Sequence, residues 1–387
     1  MLAGSVGVNK TTTGTATLST AAAYTGATSI NSGTLALGAS GVLPSGTSLS
    51  IATGGTLAMG AFNNTVAGLS LQGGTVSGSG TLTSTTGFDI RSGSVNAVLA
   101  GGVGLNKTTT GTATLAGLNS YTGTTAVSAG TLAAGVSNAL PGGSTVTVGS
   151  GATLDLGVFN SNVAGLSLQG GTVNGSGALN STTAFDIQAG TVNAALSGGV
   201  GVNKTTSGTA TLAGNNTYTG STAITAGTLV AAHANALGAS TTGTTVSAGA
   251  SLQIANVGIL AEPITIQGNG VAGAGALIGT GIFAAAGGPI TMTGNASVGG
   301  TGTLTLNGAI GEAVGPFSLT KVGSGTVVLG AAGSYTGSTT ISAGTLTLAA
   351  ANVLPAGTSV TVNAAGTLNL GAVNQNVAAL SDRKSVV

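Results

Sequence analysis

The sequence predicts an all-β protein, a parallel β-solenoid (β-helix) of about twenty coils of ~19 residues, and three observations predict it. One sentence of the chain, VGLNKTTTGTATLAGLNSYTGTTAVSAGTLAAG at residues 103–135, returns nearly unchanged at 6–38, 200–232 and 319–349. Across one period a shorter string, Gly-Thr/Ser-(x)-Leu/Val, recurs at Gly14, Gly33, Gly55, Gly74, Gly93 and Gly111, in steps of 19, 22, 19, 19 and 18 residues. The composition agrees: of 387 residues 72 are Gly and only 6 are Pro, with Thr, Ser, Val, Ile and Leu filling the space between. Branched side chains suit a pleated surface, while glycine is poor inside helices.

Each period therefore reads as five coils, and neighbouring coils bury their apolar faces on one another. In TSINSGTLALG the apolar Ile30, Leu35 and Leu37 alternate with Thr and Ser, and Leu69, Leu71 and Val76 do so in LSLQGGTVSG. The periods run 6–102, 103–199, 200–318 and 319–381 within one domain, 1–387. The third period is 20 residues longer, read as one additional coil, and diverges over 238–318. Glu262, Pro263, Pro289, Glu312 and Pro316 fall there, so a bulge, loop or kink is expected in that segment. Residues 382–387, DRKSVV, leave the pattern and read as a scar of truncation or frame rather than a cap.

Composition excludes several classes of function. Charged residues are 3% of the chain and the net charge is +1, so no field exists to attract DNA, RNA or anionic lipid, and nucleic acid is not a partner. Without Cys there are no disulfides, zinc-thiolate sites or cysteine nucleophiles. No apolar run approaches the ~18 residues of a spanning helix.

Four lysines (Lys10, Lys107, Lys204, Lys321) and all four tyrosines (Tyr24, Tyr121, Tyr218, Tyr335) step by 97, 97 and 117 residues, and Gly33, Gly130, Gly227 and Gly344 keep the same spacing. These are the repeat-defining positions. The tyrosines are expected to cap corners with their hydroxyls in water. The lysines are expected to be solvated guards against edge pairing. Neither series is spaced to share one ligand.

Asp89, Asp155, Asp186, Glu262 and Glu312 are the acids before the tail, and none lies within a few residues of another. That spacing fails the aspartate in every nonapeptide of a calcium-binding β-roll, and it fails the carboxylate pair of a glycosidase. His233 is the sole histidine, too few for a zinc site and the only imidazole for a serine triad. No catalytic residue, cofactor or metal is expected.

The sentence LTKVGSGTVVLGAAGSYTGSTTISAGTLTLA at 319–349 resembles the autotransporter-associated β-strand repeat, or passenger-associated transport repeat. Its Lys, Tyr-Thr-Gly and Gly-Thr-Leu positions coincide in all four copies, which together cover roughly a third of the chain. The resemblance implies a passenger segment of a type V secreted protein of a Gram-negative bacterium. Such passengers are right-handed parallel β-helices, displayed at the cell surface or released, and their repeats aid passage of the outer membrane. The implied partner is the protein's own C-terminal translocator barrel. Neither that barrel nor a leader peptide is read in this sequence.

The expected function is non-enzymatic: a structural, adhesive or self-associating surface scaffold, whose further partners are itself or a host or bacterial surface. An alternative is a surface that binds ice or another crystal, prompted by Thr-x-Thr at Thr15, Thr112 and Thr209. That triplet returns only once in five coils. A carbohydrate-active β-helix enzyme is disfavoured by the absence of clustered acids.

Overall fold

Alternating apolar residues between glycine-marked bends leave the chain one economical arrangement, short strands whose inward side chains stack on those of the next coil. The computed structural model, which describes residues 1–259 and 261–383, is an all-β parallel β-solenoid of about 19 turns. Among the described residues the strand pairs are parallel, and the sole helical element is a three-residue 3-10 turn at Val271–Gly273. Chain contacts divide it into two units. One comprises Met1–Thr183 with Asn193–Ala195, the other Ala184–Val192 with the chain from Leu196 onward.

In the first unit, Thr28 pairs in register with Leu49, Leu49 with Leu69, Leu69 with Phe88, Phe88 with Leu105, and Leu105 with Thr125. Five steps thus complete the period of 97 residues. A second ladder stacks Leu35, Leu57, Val76, Val95 and Leu115. All five are buried to within 1%. Burying each such side chain contributes about 1.5–3 kcal/mol before conformational entropy is set against it. One detail of the string alignment needs correction: Gly93 lies beside Ala113, two residues beyond Gly111, because between the pairings Asp89–Asn106 and Gly93–Ala113 residues 107–112 span what residues 90–92 span on the strand before.

In the second unit the long third period also takes five steps. Thr222 pairs with Thr244, Thr244 with Ile264 and Ile264 with Ile290; Ala296, farther along the same strand, pairs with Leu319, and Leu319 with Thr339. The extra residues therefore enlarge coils rather than adding one. The expected irregularity does fall in this segment: a register shift separates Ile266 from Gly268, the 3-10 turn follows with Ala272 at φ 51°, and Ile282 stands 91% exposed. The pattern also continues into the tail. Ala379–Asp382 pairs with Ser359–Asn369, and the Arg383 amide donates to the Val362 carbonyl at 2.9 Å. Residues 384–387 of the off-pattern tail lie outside the described residues.

The outer face of the ladder carries hydroxyls. Thr34, Thr56, Thr75, Ser94 and Thr114 stand in register on successive coils of the first unit, each half-exposed. Thr303, Thr326, Thr345 and Thr367 do so in the second. The Thr-Ala-Thr triplet occurs once in each of the first three periods, but a single column of Thr or Ser persists on coils between.

Candidate functional site

The lysines and tyrosines that define the repeat are buried at two recurring junctions between coils, and the glycines meet the lysines at one of them. The strands Val8–Lys10, Leu105–Lys107, Val202–Lys204 and Leu319–Lys321 all turn their lysine inward. Each lysine stacks in register on an aliphatic rung of the next coil: Ile30, Val127, Ile224 or Ile341. Its stem thus takes the place of a Val or Ile in the core. The expectation of solvated lysines is overturned, since none of the four exceeds 7% exposure.

A buried ammonium needs partners, and here the backbone supplies them. Lys321 Nζ donates to the carbonyls of Val322, Gly323 and Ala343 at 2.9, 2.8 and 2.9 Å. Lys10, Lys107 and Lys204 donate to the carbonyls of Thr12, Thr109 and Thr206 in their own turn. They then reach the carbonyls of Ser32, Ala129 and Ala226 on the next coil, at 3.3, 3.0 and 3.1 Å. Burial pushes the Lys321 ammonium down to about 8, so it stays largely charged at neutral pH with three N–H groups for three carbonyls. Burial also lowers Lys107 and Lys204, an effect offset in part by Asp89 and Asp186.

The glycine that follows each distant carbonyl completes this junction. Gly33, Gly130, Gly227 and Gly344 adopt φ of 69°, 64°, 67° and 67°, a left-handed conformation costly for residues with a Cβ. A Cβ at Gly130 would also lie 2.3 Å from the Thr109 oxygen, the same carbonyl that Lys107 binds. Lysine and glycine, 23 residues apart, are two halves of one turn-on-turn contact.

The tyrosines form the second junction, and here too the sequence expectation is corrected. Tyr24, Tyr121, Tyr218 and Tyr335 are at most 2% exposed, and their hydroxyls meet Oγ1 of Thr28, Thr125, Thr222 and Thr339 at 2.6, 2.8, 2.6 and 2.7 Å, not water. In three copies the chain of hydroxyls extends to the next coil through Thr47, Ser144 or Thr358. It ends on the carbonyls of Gly26, Gly123 and Gly337. Burial holds all four phenols above their ordinary range, Tyr335 up to about 12. Phe88 packs against Tyr121 and Phe185 against Tyr218, with centroids 5.9 and 6.4 Å apart.

Sequence reasoning overlooked residues that the repetition could have revealed. A threonine stands four residues after every tyrosine. Asn119 and Asn216, two residues before theirs, accept from the amides of Leu99 and Leu196 and donate to the carbonyls of Ala139 and Ala236. The isolated acids and His233 remain apart. Asp89 pairs with Arg91 at the surface, Asp155 caps the Gly157 amide, and His233 Nδ1 accepts from the Asn235 amide. Among the described residues no three His, Cys, Asp or Glu side chains come together as a metal site.

Fold and junctions together define a solenoid repeat protein whose recurring polar residues serve its own stacking. The chain carries four passenger-associated transport repeats, matched by that family's sequence model at residues 8–37, 105–134, 202–231 and 319–348. These repeats imply an autotransporter passenger β-helix segment, a translocator domain in its context, and secretion through the outer membrane to the surface; such repeats are generally non-catalytic. Comparison with curated proteins and with solved structures finds no match.

Proposed function

We propose that this segment is a non-enzymatic scaffold, displayed on the surface of a Gram-negative cell or released from it, that adheres or self-associates through the flat faces of its coils. The observation that carries this reading is the in-register column of Thr and Ser on the outer face. With charged residues at 3% of the chain, little repulsion keeps such faces apart. The reading takes the winding as right-handed, as is usual for parallel crossovers. Its repeats aid export by folding locally, and its partners are its own translocator and a second copy or a cell surface.

The test is display of the chain on Gram-negative cells through a translocator domain, followed by cell aggregation and binding to host cells. Clumping that purified chain inhibits supports the proposal. Strictly monomeric sedimentation together with no cell binding overturns it. The same hydroxyl column favours a second reading, a surface that binds ice or another crystal, and absence of thermal hysteresis disposes of its ice-binding form.

A further inference from the structure

One coil beyond its tyrosine junction, the third repeat differs from the other three in a pair of buried side chains. Elsewhere the threonine that receives the tyrosine hydroxyl meets a second hydroxyl: Thr28 meets Thr47, Thr125 meets Ser144 and Thr339 meets Thr358. Each second hydroxyl lies two residues before the register partner of the first, namely Leu49, Val146 or Val360. In the third repeat this relation recurs one coil later. Thr244, the register partner of Thr222, donates to Glu262 Oε1 at 2.7 Å, and Glu262 lies two residues before Ile264, the partner of Thr244. A hydroxyl and a carboxyl thus occupy the place of an apolar pair: Leu49 with Ala67, Val146 with Ala164, or Val360 with Ala378.

That carboxyl is 3% exposed, and among the described residues no Lys, Arg or His approaches within 4.0 Å. Lys204 is committed to the carbonyls of Thr206 and Ala226, and His233 to the Asn235 amide. Tyr218 is the titratable group that senses Glu262, and it stays protonated under ordinary conditions. Glu262 also borders a cavity of about 340 Å³, shared with Leu237, Gly238, Ile259 and Ala261, through which solvent can reach the junction. Gly288 closes on the Glu262 carbonyl from the following coil, where a Cβ would lie 2.2 Å away. The residue therefore sits between coils, without a countercharge and beside an entry for water.

We propose that Glu262 is a proton-operated latch: protonated, it closes the stacked strands Thr244–Val246 and Ile264–Gly268, and ionised, it draws water through the adjoining cavity and loosens them. Burial supports this by raising the carboxyl from 4.5 to about 7. Folding then holds a proton that the unfolded chain releases. Stability from this group is complete below about pH 4.5, falls as pH rises toward 7, and is level above it.

The experiment compares the full chain with Glu262→Gln from pH 5 to 8, reading the unfolding midpoint and hydrogen exchange of the amides of residues 244–266 corrected for intrinsic rates. Wild-type chain should lose protection at least several-fold as pH rises, while Glu262→Gln stays flat. Parallel profiles overturn the proposal. Should Glu262→Gln fail to fold, Glu262→Ala supplies the residue found at this place in the other copies and faces the same criterion. Carboxyl NMR of the wild-type chain gives an independent decision: titration of Glu262 below pH 5 refutes the latch.

Discussion

Lys321 Nζ lies 2.9 Å from the carbonyl oxygen of Ala343, and the next residue, Gly344, adopts the left-handed conformation that presents this oxygen. A charge that the composition suggested for the surface is thus spent on joining one coil to the next. Substitution of a repeat lysine should show it. Lys107→Met keeps an apolar stem but leaves the carbonyls of Thr109 and Ala129 without their donor. The expected loss is about 1–3 kcal/mol in urea unfolding. A solvated lysine would have changed stability by less than ~0.5 kcal/mol.

Gly130→Ala tests the other half of the same contact. A left-handed backbone costs an L-residue about 1–2 kcal/mol, and the clash with Thr109 adds to it. Gly142→Ala is the matched control, for a Cβ there meets nothing within 4 Å. The unfolding midpoint should fall clearly for the first and hardly move for the second.

Tyr121→Phe should cost about 0.5–1.5 kcal/mol, because Thr125 keeps its bond to Ser144 once the phenol hydroxyl is gone. Tyr121→Ala also opens a cavity beside Phe88, at about 3–5 kcal/mol. The ratio of the two losses in denaturant melts separates the hydroxyl from the ring.

Alkali should unfold the protein through its tyrosines. Their folded values lie above the ordinary 10.0, so folded chain keeps protons that unfolded chain gives up. Stability from these groups is complete below pH 10 and declines as pH climbs toward and beyond the value of about 12 reached by Tyr335. Spectroscopic titration should show phenolate appearing together with loss of β-sheet circular dichroism, not before it.

Among the described residues Asn64 Nδ2 and Ser161 Oγ are buried without a partner, and both occupy the second position after a phenylalanine, Phe62 or Phe159. At the corresponding place in the fourth period Gln375 bonds both the amide and the carbonyl of Leu354. Asn64→Gln should therefore be neutral or stabilising by up to about 1 kcal/mol. Asn64→Leu should destabilise, since the amides of Val42 and Leu43 lose their acceptor. Thermal unfolding of the two variants distinguishes these outcomes.

Much of the stack was legible because alternation and spacing are local properties. Leu35, Leu57 and Val76 point inward as their pattern requires. The lysines and tyrosines were misplaced for a common reason: residue type predicts exposure only when burial lacks compensating partners. For the lysines those partners are backbone carbonyls 22 residues away, as Ala129 is from Lys107, and the glycine after each is their mark in the sequence. The Tyr–Thr bond likewise had a visible sign in the threonine repeated four residues downstream. The enlarged coils around Ile290 were mistaken for an added one because length alone does not reveal how a strand such as Ile290–Gly300 slides from one pairing to the next.

The 22-residue reach from Lys107 to Ala129 also sets the smallest piece of chain that can finish a lysine junction. A nascent coil needs only its immediate successor, so assembly can advance like a zipper, with short loop closures in place of distant searches. Such a chain can consolidate behind a moving front while the remainder stays extended. Each lysine junction can close as soon as the following turn comes within its reach.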